Sequence, residues 1–399
     1  MKILQLCTKV PYPPKDGGAA GVFVFSKAFA QLGHTVKILA VNPPKHYIDE
    51  EQYENLPRNI TIHPVNFDTA PVWYKALTNL IFSRLPYQIE RFVNKGFANE
   101  LTSILKQFDP DVVQIEGVYL CPYRPLIGQF SNARIILRAH NIETALWQDI
   151  AHNEPQVCKR LYLNIQVRRL MRYETVQMQL TDAVTTVTEN DAQFVRNISS
   201  KIRCIVAPFG TNLALSEPKN RQNLNNIFFL GALDWLPNQE AIQWFVTQVW
   251  PALYEEFPAL RFHIAGRNAP WQLSQKLQNT PGVVWHGEIS DSVAFINQFS
   301  IMVSPLFSGS GIRVKIIEAM QHNIVVIAST KAVEGIDVKH GIHLLLAEDA
   351  NDYTLQLTRL FSEPGLLKQI AANARQLVCE KFDILAIANN VIGLYNSNQ

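Results

Sequence analysis

The chain has 399 residues, 47% of them hydrophobic and 18% charged, the balance of an ordinary globular protein with room for two or three domains. Its formal net charge of +2 counts against a nucleic-acid-binding module, and no apolar run reaches the roughly 18 residues of a spanning helix. The five cysteines, Cys7, Cys121, Cys158, Cys204 and Cys379, form no Cys-x-x-Cys pair and sit near no histidine cluster at zinc spacing. That pattern argues for a reducing compartment and against a structural metal.

Along the chain, short β-rich runs alternate with amphipathic stretches, the signature of parallel α/β sheets covered on both faces. The opening Met1-Lys-Ile-Leu-Gln-Leu-Cys7 is apolar for too few positions to be a secretory signal and reads as a first strand. The first series of predicted strands covers 2–8, 35–41, 60–65, 111–116, 134–139, 183–188 and 202–207. A second covers 227–233, 261–265, 283–287, 301–305, 324–329 and 343–346. These imply a first domain over 1–207, a Pro- and Asn-rich linker over 208–226, a second domain over 227–382, and a C-terminal helix over 383–399 that either finishes the second domain or crosses back to the first. Two Rossmann-like sheets in tandem place the carboxyl ends of both strand sets toward one cleft, so functional residues are expected just after strands.

After the first strand come Gly17 and Gly18 in a proline-led turn. They let a ligand approach the backbone, but the run is not the Gly-x-Gly-x-x-Gly of a dinucleotide site. Farther on, Leu137-Arg-Ala-His-Asn-Ile-Glu-Thr144 puts His140 and Glu143 beyond a strand end, where they are expected to be exposed, His140 to donate to a sugar hydroxyl or hold the acceptor and Glu143 to orient substrate or take a proton. The stretch 72–86 is aromatic and apolar with sparse cations, and 157–180 carries Lys159, Arg160, Arg168, Arg169 and Arg172. Both suit either an interfacial patch on anionic lipid or ordinary amphipathic helices packing on the sheet. Residues 1–205 hold 23 Lys and Arg against 18 Asp and Glu, and the remainder 13 against 16, a mild basic bias in the first half.

The most informative run is Ser304-Pro-Leu-Phe-Ser-Gly-Ser-Gly-Ile-Arg-Val-Lys-Ile-Ile-Glu318. Gly309 and Gly311 permit a tight turn with outward N–H groups, and Arg313 and Lys315 are expected in the first turn of the next helix. Cations there oppose the helix dipole, so an outside anion is implied, and phosphate is the obvious candidate. Glu318, two helical turns after Gly311, is placed to accept hydrogen bonds from ribose hydroxyls.

Taken together, this loop, the strand-end His140, Gly231-Ala-Leu-Asp-Trp-Leu-Pro-Asn-Gln-Glu240 and Pro208-Phe-Gly-Thr-Asn212 resemble the retaining glycosyltransferases of family 4, over essentially the whole chain. The resemblance implies the GT-B fold, an α/β pair of Rossmann-like domains facing one cleft, with acceptor binding on the first and nucleotide-sugar binding on the second. It implies that Gly17 and Gly18 lie near the donor phosphates and acceptor, His140 near the transferred sugar, Glu318 on the ribose, and the amides of Gly311 and Ile312 on the diphosphate. Ser310 stands where the family carries the first glutamate of its Glu-x7-Glu pair, and Arg313 replaces a glycine of its loop.

The reaction expected is transfer of a sugar from a nucleoside-diphosphate sugar to an acceptor hydroxyl with retention, in surface polysaccharide or glycolipid assembly. Catalytic roles fall to His140, Glu143, Arg313 and Lys315, and donor contacts to Gly17, Gly18, Ser310, Gly311, Ile312, Arg313, Lys315 and Glu318. No Asp-x-Asp motif appears where a divalent ion would be expected to bridge the diphosphate, so neither metal nor cofactor is expected. A soluble, cytoplasmic protein, at most peripheral on the inner membrane face, is implied, with a glycan or lipid-linked acceptor and no nucleic acid as partner. Two rivals stand: a nucleotide-sugar 2-epimerase of similar fold, and a silent nucleotide-sugar-binding subunit suggested by Ser310.

Overall fold

The computed structural model describes residues 1–14, 17–53, 56–213, 225–309 and 311–396. The chain divides into two units, Met1–Gly210 with Ile384–Gln399, and Thr211–Asp383.

The first unit is built on a parallel sheet in the order β3-β2-β1-β4-β5-β6-β7. Its strands are β1 (Lys2–Cys7), β2 (Thr35–Val41), β3 (Ile60–Val65), β4 (Val112–Glu116), β5 (Arg134–Ala139), β6 (Ala183–Thr186) and β7 (Cys204–Val206). Strands β4 and β5 are buried almost end to end, because crossover helices cover both faces. The helix Gly17–Gln31 lies on one face and ends in a Schellman turn, with His34 N–H bonded to Phe29 O and Gly33 N–H to Ala30 O. Gly33 takes φ 85°, a conformation its missing Cβ makes cheap. The C-terminal helix Ile384–Asn396 joins the same face, where Ile384, Ala388, Val391 and Tyr395 share a core with Ile3, Phe29 and Ile38.

In the second unit the order is β10-β9-β8-β11-β12-β13, from β8 (Asn226–Leu230), β9 (Arg261–Ala265), β10 (Val283–Gly287), β11 (Ile301–Ser304), β12 (Val325–Ala328) and β13 (Leu345–Leu346). All observed pairings in both sheets are parallel. Several strands are shorter than their apolar runs predict: β13 keeps two residues of the expected four, and β7 three of six. Those ends lie at sheet edges, where there is little ladder to extend them.

Both sheets reverse their winding between the first and fourth strand of the series, at β1/β4 and at β8/β11. Loops leaving neighbouring strands there run in opposite directions and leave a crevice at the carboxyl end. Residues 214–224, most of the expected linker, lie outside the described residues. At its near edge, Thr211 bridges Asp383, and Gln321 Nε2 donates to Asn212 O at 2.8 Å.

Candidate functional site

In the first unit the site grows from polar residues set into apolar strands. Side chains alternate along a strand, so Gln114 and Glu116 of β4 face one side, as do Arg138 and His140 at the end of β5. Glu116 is in register with Arg138, and Gln5 of β1 with Gln114. One carboxylate therefore meets several donors: His140 Nε2 at 2.6 Å, Arg138 Nη1 at 3.4 Å, Gln5 Nε2 at 3.2 Å, and Gln114 Nε2. Ser26 Oγ donates to Gln5 Oε1 at 2.6 Å, and the Tyr395 hydroxyl donates to Gln114, so both helices on this face anchor the network.

Glu116 and Arg138 are both buried. Burial pushes the Glu116 carboxyl upward, but Arg138, His140 and Gln114 together outweigh it and hold it below the usual value. An ionised Glu116 only accepts hydrogen bonds, so Nε2 of His140 carries the proton and, in the neutral ring, Nδ1 is left as an acceptor. In that neutral form Nδ1 can accept a hydrogen bond but cannot donate one.

Phe209 meets the His140 ring edge-on with centroids 5.7 Å apart, and lies 5.2 Å from the Arg138 guanidinium. A Cβ on Gly21 would sit 2.2 Å from the Phe209 ring, so this glycine is what admits the phenylalanine. Gly17 and Gly18 form the first helical residues rather than a preceding turn; Gly17 is exposed and Gly18 half-buried.

Glu143 departs from expectation, being buried rather than exposed. It opens the helix Glu143–His152 and accepts from the Tyr119 hydroxyl at 2.5 Å, and no hydrogen bond joins it to His140. The cause is Glu174, on the long helix Val157–Leu180, which caps the Glu143 and Thr144 N–H groups at 2.8 and 3.0 Å and draws the helix start inward. Burial lifts the Glu143 carboxyl from its ordinary 4.5 to about 7, with Glu174 adding to the rise. Below pH 4.5 folded and unfolded chains are both protonated; between 4.5 and 7 only the folded one holds the proton. Stability therefore falls as pH rises through that window and stays lower above it, by on the order of 3 kcal/mol. Glu143→Gln should flatten the pH 4.5–7 slope in denaturant unfolding, and an unchanged slope would contradict the assignment.

In the second unit the loops after β8 and β11 meet at the switch point. Gly309 and Gly311 take φ 97° and 83°. A Cβ on Gly309 would lie 2.6 Å from Trp235 Cζ2 and 3.0 Å from Arg313 Nη2. The helix begins at Val314, so Arg313 is its N-cap rather than a first-turn residue, bonding through Nη1 to Gly311 O with its guanidinium 5.1 Å over the Trp235 ring. Burial lowers its pKa, with Glu334 opposing. Lys315, in the first turn, pairs with Glu318 at 2.7 Å. Because Gly311 lies before the helix, Glu318 follows it by about one helical turn, not two. Its Oε2 takes Lys315 and, among the described residues, Oε1 has no partner. The Ile312 side chain is buried, leaving its backbone as what it offers. Ser310 lies outside the described residues.

This unit can hold an anion: two left-handed glycines, a helix start, an arginine stacked on tryptophan, and a lysine. Gly309→Ala should leave the fold intact but displace Trp235 and weaken anion-dependent thermal stabilisation, and unchanged stabilisation would remove the loop from the site. Among the described residues no group of three or more His, Cys, Asp or Glu is arranged to hold a metal. Sequence reasoning missed Glu116, Arg138, Phe209 and Trp235; polar residues at period two inside apolar strands were the available signal for the first two.

Two α/β units of Rossmann strand order, each with polar residues at its switch point, define a GT-B protein. The sequence description "Glycosyltransferase Family 4" matches residues 15–214, and "Glycosyl transferases group 1" matches 225–363. The chain belongs to this glycosyltransferase family. It is similar to an "Uncharacterized 44.6 kDa protein in cps region" of Klebsiella pneumoniae, 21% identical over 98% of each chain. Among solved structures it is similar to Alr3699/HepE of Anabaena in complex with UDP, at TM-score 0.68 and 12% identity over 98% of this chain and 99% of that one. It is also similar to sucrose-phosphate synthase of Thermosynechococcus elongatus, at TM-score 0.69 and 18% identity over 99% and 98%.

Proposed function

We propose that the protein is a retaining hexosyltransferase that uses a nucleoside-diphosphate sugar, with the second unit holding the donor and the first the acceptor. The observation that carries this is the loop Gly309–Lys315, where left-handed glycines, Trp235-stacked Arg313 and Lys315 converge at a helix start. The UDP held by the Anabaena relative supports a nucleotide donor and makes UDP-sugars the first to try. The cps region of the Klebsiella relative supports a role in surface polysaccharide or glycolipid assembly.

In the proposed reaction the bond from the anomeric carbon to the diphosphate oxygen breaks, and that carbon bonds the acceptor oxygen. The diphosphate leaves with the electron pair. Retention requires the acceptor to arrive on the face the diphosphate leaves, so the departing phosphate oxygen is the nearest base for the acceptor proton. Arg313, Lys315 and the loop N–H groups oppose charge that grows as the bond breaks, and so favour the transition state over the bound donor. Glu318 accepts from the ribose, and His140 Nδ1 from a hydroxyl of the transferred sugar. Glu143 is proposed to act by fixing the wall around Tyr119 rather than by touching substrate. These cations leave no step that needs a metal, so chelator is expected to leave turnover unchanged.

The acceptor is proposed to be a glycan or lipid-linked glycan, and the protein to be cytoplasmic and peripheral at the inner membrane face. The test is product analysis with UDP- and GDP-sugars and a lipid-linked glycan fraction, reading anomeric configuration by NMR. A product with the donor's configuration is expected. Inversion would contradict retention, an altered donor sugar formed without acceptor would point to an epimerase, and binding without turnover would point to a silent subunit.

A further inference from the structure

The first unit exposes a surface that none of this chemistry uses. The helix Trp73–Phe82 is ten residues long, yet Trp73 is 76% exposed, Ile81 72% and Phe82 84%. Trp73, Leu77 and Ile81 recur every four residues and so form a single stripe, with Tyr74 set edge-on beside Trp73. Asn79, on the opposite side, is buried and fixes the helix to the long helix Val157–Leu180. Gln166 Nε2 donates to Asn79 Oδ1 at 3.0 Å, and Arg169 donates to the Asn79 and Leu80 carbonyls at 3.2 and 2.8 Å. Arg169 thereby caps the carbonyl end of the shorter helix, and the apolar stripe is held outward rather than left to fold back.

The partner helix carries a stripe of its own, Val157, Leu161 and Ile165 running into Arg168 and Arg172, all exposed. Charge on the pair is one-sided. No acidic residue occurs in 69–89 or in 155–173. Lys159 is paired with Glu154 at 2.5 Å. Lys75, Arg84, Arg160, Arg168 and Arg172 are exposed and, among the described residues, have no acidic partner. A protein partner of ordinary composition would not need this combination of exposed Trp, Tyr, Ile and Phe with unopposed cations. An anionic lipid surface matches both halves, aromatic and aliphatic side chains entering the headgroup boundary and cations meeting lipid phosphates. Ten helical residues span only about 15 Å, half a hydrocarbon core, so the helix would lie in the interface rather than cross it.

We infer that the helices Trp73–Phe82 and Val157–Leu180 form a docking surface for an anionic bilayer. This deepens the localisation proposed above by naming the surface and the lipid charge it reads, and it does not depend on the donor chemistry.

The test is co-sedimentation of the full chain with phosphatidylcholine vesicles made with and without phosphatidylglycerol, at low and high salt. Two variants accompany it, Leu77→Ser with Ile81→Ser, and Arg168→Glu with Arg172→Glu, each checked for unchanged thermal unfolding. The wild type should bind phosphatidylglycerol vesicles and release them in salt. Each unopposed cation near the surface is worth roughly a fivefold gain in partition, so the charge variant should lose more than tenfold, and the apolar variant should lose binding at low salt as well. No vesicle binding, equal binding to the neutral vesicles, or variants that bind like wild type would overturn the inference. So would light scattering that finds a dimer abolished by Leu77→Ser with Ile81→Ser, since the face would then cover a second copy. Donor binding by both variants in vesicle-free solution should match wild type, which separates failure of this surface from failure of the glycosyltransferase reading.

Discussion

Glu116→Leu should destabilise the first unit by about 3–5 kcal/mol, because it strands the buried Arg138 guanidinium without its carboxylate. Phe25, 3.8 Å from that guanidinium, offers a ring face but no hydrogen-bond acceptor to replace the lost oxygens. The two units give no warrant for a single two-state transition, so calorimetry is the suitable measurement. One transition should shift down while the other keeps its position. Glu116→Leu combined with Arg138→Leu should recover most of the loss, since removing both charges leaves no unpaired ion. A double variant as unstable as the single one would mean that the cost came from packing or from the Gln5, Gln114 and His140 donors left without the carboxylate. Acid should act like the single substitution. The Glu116 carboxyl sits below its ordinary 4.5, so its stabilisation is present above that value and is lost as pH falls through the lowered one.

The second large effect is expected at Arg313. Arg313→Ala should cut turnover by about 10²- to 10³-fold, the usual cost of removing one donor aimed at developing charge. Arg313→Lys should recover little of it. The guanidinium lies over the Trp235 ring, 5.1 Å from its centroid, and bonds Gly311 O, which positions a fork that a single ammonium cannot reproduce. Lys315→Ala is expected to cost less and to act in part through Glu318, whose Oε2 it holds at 2.7 Å. Equal losses at Arg313 and Lys315, with full rescue by Arg313→Lys, would mean that charge alone matters and that stacking on Trp235 has no role.

Much of the architecture was legible because parallel strands buried on both faces read as apolar runs bounded by turn residues. The positions of His140 and of the Gly309–Glu318 loop just beyond strands followed from that reading. What surrounds His140 was not legible. Glu116 and Arg138 are 22 residues apart, and only the adjacency of β4 and β5 puts them in register. Glu143 looked exposed because it follows a strand end, and its burial depends on Glu174, 31 residues away on another helix. Arg313 fell outside the helix by one position, a boundary that local sequence rarely fixes. Trp235 could not be tied to Gly309 without the strand order that brings the loops after β8 and β11 together. The stretch 72–86 admitted two readings, and its exposed aromatic face is the observation on which the inferred lipid surface rests.

The most direct test of the central claim is calorimetric titration of the wild type and Arg313→Ala with UDP and GDP. The account predicts saturable binding of one nucleoside diphosphate by the wild type, weakened at least tenfold in the variant and unaffected by chelator. No binding of either nucleotide to folded wild type, or equal binding by Arg313→Ala, would contradict the assignment of Gly309–Glu318 as the donor site.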